Sequence, residues 1–212
     1  MDIFFPQVCA ICGNLNENSL CVKCTKILET FAKFEMIETK PHFENKNFQN
    51  FMYVFHYEGV IRKLILDYKF HEKSYIYVSF VNFILKNKKI FEKLKSYDTI
   101  IPVPISKKRM KERGYNQSLL IARKLSKALN IESQENCLIK TKNIIEQSKL
   151  NREQRKQNIQ NVYELKKEQI LKDKKILLID DIYTTGNTVN ECCKMLQKAM
   201  PKKIDVFTIA KD

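Results

Sequence analysis

The chain mixes short unbroken apolar runs with longer segments in which apolar residues recur every three or four positions, the pattern of strands interleaved with helices. Phe51-Met52-Tyr53-Val54-Phe55-His56-Tyr57 is an aromatic-rich run that predicts a strand, closed by Gly59. Val60, Leu64 and the apolar positions up to Phe70 predict a helix with Arg62, Lys63 and Lys69 interleaved, and Ser74 to Asn87 predicts a second. Thr25 to Ala32 is expected to form a short helix, and the polar stretch from Glu35 to Asn50 a linker. Asp98 to Pro104 is expected to be the first core strand, and Ile121, Leu125, Ala128 and Leu129 mark a helix capped by Asn116 or Ser118. A short strand is expected near Val162-Tyr163. Lys174-Lys175-Ile176-Leu177-Leu178-Ile179 is an apolar run behind two charges, as in a strand buried on both faces of a parallel sheet. A helical pattern from Val189 to Met200, then Pro201, then a strand from Ile204 to Ile209 completes a strand–loop–helix–strand unit. The fold class is therefore α/β: a mostly parallel sheet flanked by helices.

Hydrophobic residues make up 44% of 212, enough for a packed core and too many for a disordered chain. The formal charge is +14, and 19 Lys/Arg against 9 Asp/Glu fall between Asp98 and Lys175, so that stretch alone carries 19 − 9 = +10. Such a surplus favours nucleic acid, phosphorylated metabolites or an acidic membrane surface, although a Lys-rich background proteome gives the same number. No apolar run is long enough to span a bilayer, and Met1 to Phe5 lacks the basic region of a signal peptide. The protein is thus expected in the cytoplasm, where thiols stay reduced and clustered cysteines act as metal ligands.

Cys9, Cys12, Cys21 and Cys24 form two C-x2-C knuckles separated by eight residues. Four thiolates suit tetrahedral Zn²⁺ and leave no open position, so the site is expected to be structural; an iron–sulfur centre or a redox pair is the rival chemistry. Zinc with four thiolates adds −4 + 2 = −2 to the formal charge of +14. A module of this size buries little core and depends on its metal to fold. Residues 1–34 are expected to be this zinc module, 35–50 the linker and 51–212 the main domain. Cys137, Cys192 and Cys193 lack ligand spacing and are expected to be small buried hydrophobes. The aromatics from Tyr53 to Phe83 can stack on bases, but core packing is the stronger expectation. His56 and His71 fall in no ligand pattern.

The chemistry concentrates in Asp180-Asp181-Ile182-Tyr183-Thr184-Thr185-Gly186-Asn187-Thr188. Two acids stand at the carboxyl end of a strand, where open α/β sheets bind ligands. Gly186 lets backbone approach an anion, and hydroxyls with successive N–H groups at a helix start cradle phosphate. Carboxylates repel phosphate but accept hydrogen bonds from sugar hydroxyls or act through Mg²⁺. The combination describes a ribose 5-phosphate. With four glycines in all, neither a dinucleotide fingerprint nor a P-loop can be written. Lys107, Lys108, Arg109, Lys111 and Arg113 set five cations against Glu112 alone, a stretch suited to a multivalent anion.

The segment Ile179 to Thr188 resembles the PRPP-binding motif of type I phosphoribosyltransferases. The wider set is similar to the ComF (ComFC) family: a cysteine knuckle, Pro102-Val103-Pro104, Arg109 to Ser118, then Leu150, Arg152, Arg155 and Asn158, and last the Asp-Asp-to-Thr loop, in that order. The resemblance implies a type I phosphoribosyltransferase-like fold behind a zinc finger. It implies PRPP with Mg²⁺ at Asp180, Asp181, Thr184, Thr185, Gly186, Asn187 and Thr188. Pyrophosphate or DNA backbone would meet Lys107, Lys108, Arg109, Arg113, Arg152 and Arg155. It further implies natural transformation, with single-stranded DNA, the inner-membrane DNA channel and cytosolic transformation proteins as partners. An active phosphoribosyltransferase and a PRPP sensor without turnover remain open beside it. No residue can be named as catalytic base; Glu146 and Glu153 lie in the expected flexible loop without distinction.

Overall fold

The computed structural model describes residues 8–16, 20–39, 46–70, 73–141 and 162–212. Their elements run α1 (Val22–Phe31), β1 (Ala32–Glu38), β2 (Asn50–His56), α2 (Gly59–Phe70), α3 (Ile76–Lys86), α4 (Lys88–Lys95), β3 (Thr99–Pro102), α5 (Lys107–Arg113), α6 (Gln117–Leu129), β4 (Glu132–Ser133), β5 (Leu138–Lys140), β6 (Tyr163–Leu165), β7 (Lys175–Tyr183), α7 (Asn187–Leu196) and β8 (Lys203–Lys211). Six strands form one sheet in the order β1-β2-β8-β7-β3-β4, while β5 and β6 make a separate two-stranded pair. All neighbours in the large sheet are parallel except β1 against β2. This is the mostly parallel α/β sheet expected from the apolar runs.

β7 explains why the sheet is covered on both sides. Ile176, Leu177, Leu178 and Ile179 are all fully buried, and side chains alternate between faces. Leu177 and Ile179 join Phe55, Tyr68, Phe80, Ile121 and Leu125 in one core. Ile176 and Leu178 join Val189, Cys192, Cys193 and Leu196 of α7 in the other. Cys137, Cys192 and Cys193 are buried as expected, and burial pushes the Cys137 thiol up to about 11. Tyr53, Phe55, Tyr68 and Phe80 are core residues, whereas Phe70 and Tyr75 are exposed.

Several sequence expectations need correction. Residues 35–38 belong to β1 rather than to a linker, because Glu35 to Glu38 pair with Tyr53 to Asn50 of β2. β3 is not the first core strand: β2 enters the same sheet earlier, in parallel with β8. The basic stretch Lys107–Arg113 is helical, with Ser106 Oγ accepting from Arg109 N at 3.3 Å and Gly114 closing it at φ +75°. β7 does not stop at Ile179, since β8 extends beside it and pairs Asp180 with Thr208 and Ile182 with Ala210. The two acids are therefore strand residues. The N-terminal module also joins the main core: Leu28 of α1 is fully buried in the cluster that holds Phe55, with Ile11 and Leu20 packed against it. None of the described helices is long and apolar enough to cross a membrane.

Candidate functional site

Two sites take shape. The first is at the cysteines, whose four Sγ atoms lie within 4.8 Å of one another. Cys12 Sγ and Cys21 Sγ are 4.0 Å apart. Tetrahedral Zn²⁺ with bonds of about 2.3 Å needs sulfurs at about 3.8 Å, so the arrangement fits that ion. Cys21 N–H donates to Cys9 Sγ at 3.4 Å. Burial raises the Cys9 thiol, but backbone N–H groups of Cys12, Cys21 and Ile11 overcome it and bring the thiol down to about 6. Cys24 is pushed up by burial and by the other cysteines. Four sulfurs this close cannot all ionise without a cation among them.

The second lies at the carboxyl end of β7. Asp181 is buried, and its Oδ1 meets Lys69 Nζ of α2 at 2.9 Å. Asp180 Oδ1 accepts from Ser118 Oγ at 2.8 Å and from Asp181 N at 2.9 Å. Burial, and then the charge of Asp181, raise the Asp180 carboxyl to about 7 against the opposing pull of Lys69 and Ser118. Ser118 is thus a partner of the acid. Asn116 caps α6: its Oδ1 accepts from Ser118 N at 3.1 Å and Leu119 N at 3.4 Å, while its Nδ2 donates to Val103 O at 3.0 Å.

Beyond the acids the chain turns at Gly186, in the left-handed region at φ +75°, and α7 begins. Gly186 is buried, while Thr184, Thr185, Asn187 and Thr188 are exposed around it. A Cβ at Gly186 would collide with the Tyr183 phenol. That ring packs on Phe51 with centroids 4.1 Å apart, and its hydroxyl accepts from Lys46 Nζ at 3.1 Å. The turn therefore offers exposed hydroxyls and a free helix start above a pinned tyrosine.

A phosphoribosyl transferase domain model matches residues 116–212, which contain both acids and the turn. Competence protein F of Haemophilus influenzae is 29% identical over 98% of this chain and 98% of its own length. Competence protein ComFC of Streptococcus pneumoniae is 30% identical over 74% of this chain and 66% of that protein. The chain belongs to the ComF family. Purine phosphoribosyltransferase from Pyrococcus horikoshii, a solved structure, is 16% identical over 63% of this ComF chain and 83% of its own, with a TM-score of 0.39.

In this ComF protein the cations of α5 divide into two groups. Lys107, Lys108 and Arg109 are exposed on α5. Arg113 turns inward: its guanidinium lies 5.0 Å from the centre of the Phe70 ring and donates to Gln117 Oε1 at 3.0 Å. Burial and then Arg109 lower the Arg113 pKa, while Asp181 opposes them. Arg152, Arg155, Glu146 and Glu153 lie outside the described residues. The segment that holds them connects β5 to β6, which pair Lys140 with Tyr163. Lys140 Nζ sits 5.3 Å from the centre of the Tyr163 ring, and burial, with Arg109 next, lowers its pKa. Sequence reasoning missed Lys69 and Lys140. Lys69 did carry a signal, a cation following the apolar positions Leu64, Ile65 and Tyr68 at the end of an amphipathic helix.

Proposed function

We propose that this chain binds PRPP with Mg²⁺ at the Asp180–Thr188 turn and handles single-stranded DNA during natural transformation. The observation that carries the first half is the adjacency of two carboxylates to an open helix start at Gly186, one strand end supplying both a hydroxyl-binding and a phosphate-binding surface. Asp180 and Asp181 would take the ribose hydroxyls. Thr184, Thr185, Asn187 and Thr188, with the N–H groups beyond Gly186, would take the 5-phosphate. The donor set fits a divalent ion, and Mg²⁺ when bound supplies charge neutralisation to the pyrophosphate. Arg113 lies within electrostatic reach of Asp181 and Lys140 within reach of Asp180, with Arg109 beside both cations, and the three would meet the remaining negative charge. The four cysteines would hold zinc as a closed structural centre.

The DNA half rests on the likeness to Competence protein F along almost the whole chain, and on the exposed cations of α5. Cytoplasmic action beside the inner-membrane DNA channel belongs to the same reading. The test is calorimetric titration of PRPP with Mg²⁺ into zinc-loaded protein, with and without single-stranded DNA. Saturable binding lost in the Asp180→Asn/Asp181→Asn double variant is the expected result. An affinity that changes with DNA would mark a ligand-regulated DNA handler, since such coupling is reciprocal. Release of pyrophosphate with a nucleobase or amine present would make the chain an active transferase. Absence of PRPP binding would overturn the reading.

A further inference from the structure

Lys69 lies on α2, N-terminal to the matched segment 116–212, yet its ammonium reaches Asp181 Oδ1 at 2.9 Å. Both side chains are withdrawn from water, 15% and 8% exposed. A buried ion pair is a poor stabilising device, because desolvating two charges offsets most of their attraction. This one stands at the carboxyl end of a parallel strand, where the fold places ligands. It is also held firmly. Tyr68 Oη donates to Gln117 O at 2.8 Å, Tyr115 Oη donates to Tyr68 O, and Arg113 covers the Phe70 ring at 5.0 Å. The residues on either side of Lys69 are thus tied to the Arg113–Gln117 stretch, which fixes the point from which its side chain reaches Asp181.

A sugar hydroxyl is at once a donor and an acceptor. Beside this pair, the carboxylate can take its hydrogen while the ammonium donates to its oxygen. Such double engagement fixes where the hydroxyl oxygen sits, which a lone carboxylate does not. We propose that Lys69 and Asp181 together grip one of the two vicinal hydroxyls of the sugar, so that Lys69 selects ribose configuration. The inference rests on reading the turn as a ribose 5-phosphate site. A sugar with that hydroxyl inverted leaves the buried pair without its third partner, and sites built on buried polar groups reject such analogues strongly.

The experiment titrates four probes into the full-length zinc-loaded protein: ribose 5-phosphate, arabinose 5-phosphate (inverted at C2), xylose 5-phosphate (inverted at C3) and inorganic phosphate. The parent protein is expected to prefer ribose 5-phosphate over at least one epimer by about tenfold or more. Lys69→Met is expected to erase most of that preference while leaving inorganic phosphate affinity within about twofold. Lys69→Arg keeps the charge, and so guards against a variant that fails to fold, but shifts the donor and should give an intermediate ratio. An epimer preference unchanged in both variants overturns the inference. So does equal binding of all three sugar phosphates by the parent, and in that case the phosphate site itself survives. Failure of every probe to bind, inorganic phosphate included, removes the underlying ribose 5-phosphate reading and this inference with it.

Discussion

Asp180 shows what a carboxyl withdrawn from water and set beside a second acid costs the fold. Its carboxyl is held at about 7, raised by burial and by Asp181 from an ordinary value of 3.8. The native state therefore keeps a proton that the unfolded chain has already lost, and the stability this group contributes is complete below about pH 4 and lost as pH rises to about 7. Asp180→Asn should match the parent's melting temperature near pH 3.5, exceed it increasingly through pH 5 and 6, and hold a constant advantage above pH 7. A parent-like curve at pH 8 would contradict the origin given for the shift. Gly186 is the other residue-scale test. Its φ of +75° disfavours any side chain, and a Cβ there also strikes the Tyr183 phenol. Gly186→Ala should cost about 1–3 kcal/mol in denaturant unfolding, more than the backbone term alone, and Tyr183→Ala should recover part of it. The acids, the glycine and the hydroxyls were legible in the sequence because they are contiguous. Lys69 was not, because 112 positions separate it from Asp181 and only folding brings them to 2.9 Å.

At the scale of elements, local signals served well where packing agreed with them. β7, α6 and α7 were predicted from their apolar patterns, and Ile176 to Ile179, Ile121, Leu125, Leu129 and Val189 are buried, although Ala128 is exposed. β1 was missed because its burial is slight and its positions are mostly exposed, so nothing in the pattern distinguishes an edge strand from a polar connection. α5 was read only as charge for a similar reason: none of its residues is buried. What places these elements is a small number of polar joints, Asn116 among them. It caps α6 at two backbone N–H groups and bonds the carbonyl of Val103 just beyond β3, and it precedes by two residues the serine that holds Asp180. Asn116→Ala should destabilise the protein by about 1–2 kcal/mol for the cap, with a further cost for the orphaned carbonyl, measured as a lower denaturant midpoint. If Asn116→Asp restores the midpoint, the cap dominates. If it does not, the bond to Val103 does.

For the whole molecule, the cysteine site and the sheet are parts of one body. Leu28 lies four residues after Cys24 on the same helix and is fully buried beside Phe55. Loss of a metal held there should therefore loosen more than the knuckles. Cys24→Ala, or chelation of a metal held by the four cysteines, is expected to lower the melting temperature by on the order of 10 °C, equivalent to about 3 kcal/mol in a chain of this size. Far-ultraviolet dichroism and metal analysis on the same sample would check it, and an unchanged melt with the metal gone would show that the module is held by packing alone. The same joining was invisible in the sequence, where the zinc module, linker and main domain separate cleanly by composition.

The position of β8 has a consequence for how such a chain is made. It lies between β7 and β2, hydrogen-bonded to both, so strand 50–56 cannot gain its inner neighbour until residues 203–211 have been synthesised. The four cysteines, by contrast, are complete at position 24. At elongation rates of about 5–20 residues per second, the interval between these two events is on the order of 10–40 s. During that time the complete cysteine cluster could already take up a metal while β2, with Phe51 to Phe55 destined for the core, waits for its parallel partner. The nascent chain thus carries an anchored N-terminus and an exposed aromatic strand together.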